Sequence, residues 1–269
     1  MKEVLKKLTS TAVRVQLRHI LNYLQLLRII PSLPETRFVI FGQGRTGSQL
    51  LMDLLNSHPS VYCDSEIFHP YYYGKVLLPY WHIISCSRQA RKLRKQAYGF
   101  KVKFYQLEND QKINPNKMIH LLHKNGWKII YLRRDNILRH SLSNLKADRD
   151  QVYHLQNATI DSGPKNKHKL QIDCAQLLKY MKGHEKFLQR EKEMLKDIPH
   201  LELVYEDDLL DAVDHQQTMN RVFQFLGIDS QYVQTDYVRT SSYHLEDLIE
   251  NYSEVESYLK NTDYYQYLH

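Results

Sequence analysis

The sequence predicts an α/β fold, a parallel β-sheet flanked by helices. Three observations predict it. The apolar run Phe38-Val39-Ile40-Phe41 passes through a glycine-rich turn into a helical pattern at Leu50, Leu51, Leu54 and Leu55. A second apolar run, Trp127 to Leu132, leads in the same way into a helix-like stretch. Further strand and helix patterns alternate down the chain. Continuous apolar runs suit strands covered on both faces, and strand–helix alternation implies parallel pairing.

The chain opens with Met1 to Ile30, basic and amphipathic. Val4, Leu5, Leu8, Ala12, Val15 and Leu17 alternate with Lys2, Lys6, Lys7, Arg14 and Arg18. It has no continuous apolar core and no small-residue cleavage site, so it does not read as a secretory signal. A helix packed against the domain is favoured over one lying on an anionic membrane. Pro31 and Pro34 separate it from the first strand. Residues 1–34 thus precede an α/β core over 35–269, the whole read as one domain.

A helix is expected from Ser48 to Asn56 and a short strand at Val61 to Cys63. Asp64 to Pro70 then falls at a strand's C-terminal end, where open parallel sheets bind ligands. Tyr71 to Ala97 reads as a helical excursion, Tyr98 to Tyr105 as a strand and Asn114 to Lys124 as a helix. After Leu132 a helix is expected to Lys146, and Asp148 to Lys169 is a polar loop or lid. Leu177 to Leu195 alternates apolar and charged residues as a surface helix would. Leu201 to Tyr205 is a late strand. Gln216 to Leu226 is a helix stopped by Gly227, and short helices follow near Leu245 to Asn251 and Glu254 to Lys260.

A hydrophobic fraction of 42% with 25% charged residues supports a soluble globule. The net charge of +7 favours an anionic partner: a nucleotide, a sulfated or phosphorylated substrate, a nucleic acid or a membrane. Cys63, Cys86 and Cys174 form no C-x-x-C and cannot all pair, which suits reduced thiols in the cytoplasm. His120 and His123 lack the ligand spacing of a metal site. No apolar run reaches the roughly 18 residues of a membrane span.

Gly42, Gly44 and Gly47 lie between the first strand and its helix. Small residues there let backbone N–H groups converge, and the helix N-terminus adds partial positive charge. The spacing is that of a P-loop, but Ser48 stands where the lysine should follow the second glycine. The cation comes earlier, at Arg45, with hydroxyls at Thr46 and Ser48. In YLRRDNILRHS, Arg133 leaves a strand end and Ser141 follows about two helical turns on. A guanidinium and a hydroxyl so placed could grip one phosphate. Asp135 follows two arginines rather than an apolar run, which argues against a magnesium-binding acid.

With both motifs in hand, the chain resembles the sulfotransferase family that uses 3′-phosphoadenosine 5′-phosphosulfate (PAPS). FGQGRTGSQLL resembles the family's 5′-phosphosulfate loop in its bacterial form, and YLRRDNILRHS its 3′-phosphate motif. LVYEDDL, GFK and LIENY resemble further family elements, so the likeness runs from Arg37 to Leu268. The resemblance implies a P-loop NTPase-like fold, PAPS as donor and 3′,5′-adenosine bisphosphate (PAP) as product, with no metal. It implies cofactor binding by Gly44, Arg45, Thr46, Gly47, Ser48 and Gln49, by Arg133 and Ser141, and by Tyr205 near the adenine. Arg239, with Thr240 and Ser241, would replace a glycine-rich C-terminal loop that has no match here. Gln49 departs from the family, which places a hydroxyl residue there.

Two anion sites and a positive charge suit this donor. Arg45 would stabilise charge on the bridging oxygen as the bond to sulfur breaks. The acceptor must lose a proton. Glu66, at a strand end beside the donor loop, is the leading base, followed by His69 and by Lys103 on the strand where animal relatives carry a catalytic histidine. The expected partner is a small hydroxyl or amino compound, a natural product or sugar, walled by Tyr71 to Trp81 and the 148–169 loop. Nucleic acid is not expected, and a homodimer is left open. Two rivals predict otherwise: a degenerate P-loop kinase or nucleotide hydrolase, and a non-enzymatic basic module binding RNA or membrane.

Overall fold

The computed structural model describes residues 15–17, 19–21, 23, 33–150, 169–237 and 244–268. They fall into two compact units. One runs to Arg133 and resumes over Glu191–Asp236; the other holds Arg134–Arg190 and the chain from Tyr237 on.

The first unit is built on five parallel strands: β1 (Thr36–Gly42), β2 (Val61–Glu66), β3 (Ala97–Lys103), β4 (Lys128–Arg133) and β5 (His200–Val204). Their order is β2-β3-β1-β4-β5. The expected class, a parallel sheet flanked by helices, is the one observed. Phe38 to Phe41 of β1 are all buried, as a strand with a neighbour on each side and helices on both faces requires. β1 connects back to β2, whereas every later connection runs the other way across the sheet. That reversal makes the C-terminal end of β1 a topological switch point.

The helices are α1 (Ser48–Asn56), α2 (Pro70–Tyr73), α3 (Pro79–Cys86), α4 (Arg88–Lys92), α5 (Pro115–Lys124), α6 (Ile137–Asp150), α7 (Cys174–Leu195), α8 (Tyr205–Asp208), α9 (His215–Leu226) and α10 (Tyr252–Leu259). Leu51, Leu54 and Leu55 of α1 join Met219, Val222 and Phe223 of α9 in packing on Phe38, Ile40, Ile130 and Leu132. Burial of each such side chain contributes about 1.5–3 kcal/mol. Phe38 lies across β3 at Gly99, where an added Cβ would meet its ring at 2.1 Å. Strand alternation puts Ala97, Gly99, Lys101 and Lys103 on this same α1-facing side. On the opposite side Trp127 meets Tyr98 and Phe100 edge to face.

Several boundaries differ from expectation: α6 runs on to Asp150, α7 begins at Cys174, and β5 ends at Val204 with Tyr205 opening a helix. Two further differences shape the sheet's C-terminal edge. β2 continues past Cys63 to Glu66, and a bulge after Asp64 sets Glu66, not Ser65, opposite Lys101. The bulge re-aims the last side chain of the strand. β3 stops at Lys103 because the chain coils into a π-helical turn at Gln106–Asp110, whose Gln106 side chain accepts from the Lys103 N–H at 3.1 Å. The 71–97 excursion holds α2, α3 and α4, fastened by buried Gln111, which accepts from Val76 N–H and donates to the carbonyls of Phe68 and Gly74.

The described N-terminal positions 15–17, 19–21 and 23 are helical. Gln16 donates to the Lys75 carbonyl at 2.6 Å, and the His19 ring meets the Tyr73 carbonyl at 2.7 Å. The rest of the basic segment, and positions 151–168 of the expected lid, lie outside the described residues. The second unit has its own core, with Ile137, Leu138 and Leu142 of α6 on Leu177 and Met181 of α7 and Val255 and Leu259 of α10. Asn251 ties it by bonding both backbone groups of Ile172 at 2.9 Å.

Candidate active site

The β1–α1 loop is shaped by close backbone approach. A Cβ on Gly42 would lie 2.2 Å from the Leu132 carbonyl oxygen, so only glycine lets β1 end against β4. Arg45 and Gly47 both take left-handed conformations, at φ 66° and 83°. Helix α1 then starts at Ser48 with no side-chain cap. A helix N-terminus left uncapped after such turns is suited to an anion. Thr46 is buried and its hydroxyl donates to the Gln43 carbonyl at 3.1 Å, so it braces the loop from within. Ser48 is buried, and the Arg45 side chain is exposed.

The neighbouring strand ends supply the charge. The register sets Gly42 beside Lys103 on one side and Leu132 on the other. Buried Glu66 accepts from Lys103 at 2.8 Å and Lys101 at 3.1 Å through one oxygen, and from Gln106 through the other. Burial pushes its carboxyl up, but the ammonium groups of Lys103 and Lys101 outweigh that and hold it down to about 2. Burial lowers Lys101 from its ordinary value, partly offset by Glu66. Lys101 also reaches the Gln49 amide oxygen on α1 at 3.4 Å. Lys103 lies over the Tyr105 ring, 5.6 Å from its centroid, and both side chains pack at Gly44, where a Cβ would meet Tyr105 Oη at 3.0 Å and Lys103 Cε at 3.5 Å. Burial raises the Tyr105 phenol, Glu66 and Asp110 add to that, and Arg45 opposes it.

Arg133 ends β4 and donates through Nε to Glu202 of β5. Tyr205 follows β5 directly, and its ring sits where a Gly47 Cβ would come within 2.5 Å. The first unit therefore brings Gly44, Arg45, Thr46, Gly47, Ser48, Gln49, Glu66, Lys103, Arg133 and Tyr205 to the C-terminal edge of one sheet. His69 caps α2 by accepting from the Tyr71 N–H at 3.3 Å through Nδ1. Burial lowers its ring below the ordinary value, with Lys103 and Lys101 adding to this and Glu66 opposing. Ser141 belongs to the second unit, on α6, where its buried hydroxyl has no partner among the described residues. Arg239 lies outside the described residues.

Lys101, Tyr105, Gln106 and Glu191 escaped assignment in the sequence. Lys101 and Lys103 alternate in YGFKVKFY, a signal that two ammonium groups share one face. Glu191 gave none: the pattern reads as a surface helix, yet the residue is fully buried. Its carboxylate accepts from Gln43 of the loop at 3.4 Å and from Tyr131 of β4 at 3.2 Å. Burial raises it to about 8, against the pull of those two donors. The other oxygen, Oε1, has no partner among the described residues.

No family model and no curated protein matches the chain. Among solved structures it is similar to a sulfotransferase from Alicyclobacillus acidocaldarius, with 15% identity and a TM-score of 0.47 over 88% of this chain and 95% of that one. It is also similar to mouse sulfotransferase SULT7A1 complexed with PAP, with 16% identity and a TM-score of 0.43 over 85% of this chain and 66% of that one. A third similar structure is sulfotransferase STF9 from Mycobacterium avium, with 12% identity and a TM-score of 0.42 over 90% and 81% of the two chains.

Proposed function

We propose that the chain is a sulfotransferase that moves a sulfuryl group from PAPS to a hydroxyl or amine of a small acceptor, a natural product or sugar, by in-line transfer. The observation that carries this reading is the β1–α1 loop, an uncapped helix N-terminus behind two left-handed turns with Arg45 as its cation. The motif resemblance supplies the nucleotide, and the edge of the sheet supplies groups that suit it.

The amides from Gly44 to Gln49 and the Ser48 hydroxyl bind the 5′-phosphate. Arg45 stabilises the charge that grows on the bridging oxygen as the oxygen–sulfur bond breaks. Arg133 takes the 3′-phosphate, for which a planar guanidinium is well shaped. Ser141 keeps the role in 3′-phosphate recognition that the motif implies. The Tyr205 ring, seated against Gly47, offers its face to the adenine. Arg239 keeps its expected cofactor role.

Transfer of this kind depends on positioning and charge stabilisation. The acceptor oxygen or nitrogen attacks sulfur as the bond to the bridging oxygen breaks, PAP leaves, and a base takes the acceptor's proton. Glu66, His69 and Lys103 are the candidates. Glu66 is ionised as a base must be, but a carboxylate held so low has little driving force to accept a proton. The Nδ1 acceptor bond of His69 puts the ring proton of its neutral form on Nε2.

Calorimetric titration with PAP in metal-free buffer, and with ATP and magnesium, tests the reading. PAP is expected to bind without metal. Binding of ATP with magnesium and not of PAP would reject the sulfotransferase in favour of a kinase or nucleotide hydrolase. Incubation with PAPS and an acceptor panel, read by mass, then identifies the product.

A further inference from the structure

The loop lacks the lysine that a P-loop carries after its second glycine, and Arg45 is exposed. Two other ammonium groups flank the loop from the neighbouring strand. Lys103 packs its aliphatic stem against Gly44, and Lys101 reaches Gln49 in the first turn of α1. Both are held by one oxygen of Glu66. This arrangement follows from the fold. Alternation puts both lysines on the α1-facing side of β3, and the β2 bulge turns Glu66 towards Lys101. Two ammonium groups and one carboxylate leave one net positive charge beside an uncapped helix N-terminus. Each ammonium has three donors. Lys101 spends one on Glu66 and one on Gln49.

Resting on the sulfotransferase reading, we infer that the lysine missing from the loop is made good by β3, in addition to Arg45. Glu66 and Gln49 hold the ammonium groups of Lys101 and Lys103 at the loop, where they bind the 5′ end of the donor, and Glu66 is a positioning residue. Its carboxylate already accepts three hydrogen bonds, two from the lysines through one oxygen and one from Gln106 through the other, which leaves a single lone pair for an acceptor's proton. Gln49, longer than the usual hydroxyl residue, carries its amide oxygen out to Lys101. The groups facing Lys101 are Glu66 and Cys63 from β2, Lys103 from its own strand and Gln49 from α1. Glu66 is the anion that keeps Lys101 charged in its buried setting.

The test titrates PAP, adenosine 3′-phosphate and inorganic pyrophosphate into wild type, Lys101→Met, Lys103→Met and Glu66→Gln, with circular dichroism confirming the fold of each. Each lysine variant should weaken PAP and pyrophosphate roughly tenfold or more, the loss of a charge-assisted hydrogen bond. Adenosine 3′-phosphate, which lacks the 5′ group, should bind unchanged. Glu66→Gln should give PAP binding a new pH dependence, weakening as pH rises, because Lys101 has lost the anion that keeps it charged; Glu66→Asp should restore the wild-type profile. Equal losses for all three ligands would overturn the inference. So would a Glu66→Gln protein that loses turnover while binding PAP with the wild-type pH profile, the signature of a base. Should Glu66→Gln fail to fold, the lysine variants decide. If wild type binds pyrophosphate through the lysines but does not bind PAP, the sulfotransferase reading falls and the cation assignment stands; if it binds neither, both fall.

Discussion

The ring of Tyr205 lies against Gly47, so close that a methyl group on residue 47 would come within 2.5 Å of Cδ2 and 2.8 Å of Cε2. Two demands therefore meet at Gly47: a left-handed φ of 83° and room for an aromatic ring brought in by the end of β5. Gly47→Ala should cost about 1–2 kcal/mol from the backbone alone, with the clash added. Its melting temperature should fall and PAP binding should weaken. In the double variant with Tyr205→Ala the clash is gone, leaving the backbone cost and the lost packing of the Tyr205 ring, so the two substitutions should be non-additive in thermal melts.

Arg45 is the non-glycine residue of the loop with positive φ, at 66°. Arg45→Gly removes the cation but relaxes the backbone, and Arg45→Ala removes the cation and keeps the strain. Both should lose about 10²–10³-fold in turnover, the usual loss when a group that stabilises transition-state charge is deleted. The glycine variant should be the more stable of the two by about 1 kcal/mol. Paired melts and steady-state rates read the two effects separately.

Arg133→Ala should weaken PAP much more than adenosine 5′-phosphosulfate, which lacks the 3′-phosphate. Equal losses would remove Arg133 from that role. Ser141→Ala should show the same selectivity without lowering the melt, because a buried hydroxyl with no partner among the described residues has no bond to lose.

Glu191 predicts a pH effect on stability. Its carboxyl is raised from 4.5 to about 8 by burial, so between those values the folded protein holds a proton that the unfolded chain has released. Native protein binding more protons means that stability falls as pH rises through this window. Glu191→Gln keeps an acceptor for Gln43 and Tyr131 and cannot ionise. The variant should gain melting temperature over wild type at pH 8 and lose the advantage at pH 4, measured by scanning calorimetry across the range.

Much of this protein was legible in its sequence because the signals are local. Four apolar residues, three glycines and a leucine helix lie within twenty positions, and backbone sterics read them in the same way wherever they occur. Phe38 to Phe41 became β1, a glycine-bearing turn joins it to α1 at Ser48–Asn56, and Gly227 stops α9. Arg133 at a strand end followed from the same reasoning. The partners of Glu66 were decided by tertiary structure. The sequence placed it at a strand end, but the β2 bulge and the pairing of β2 with β3, more than thirty residues apart, give its oxygens to Lys101, Lys103 and Gln106. Glu191 was decided in the same way, since burial depends on what packs around a helix and not on the helix's own periodicity. For the loop itself, sequence determined the glycine-rich turn and the absence of the P-loop lysine. Only the sheet, by setting β3 beside β1 with two lysines facing α1, determined which ammonium groups stand next to it, because strand register is a long-range property that no local pattern encodes.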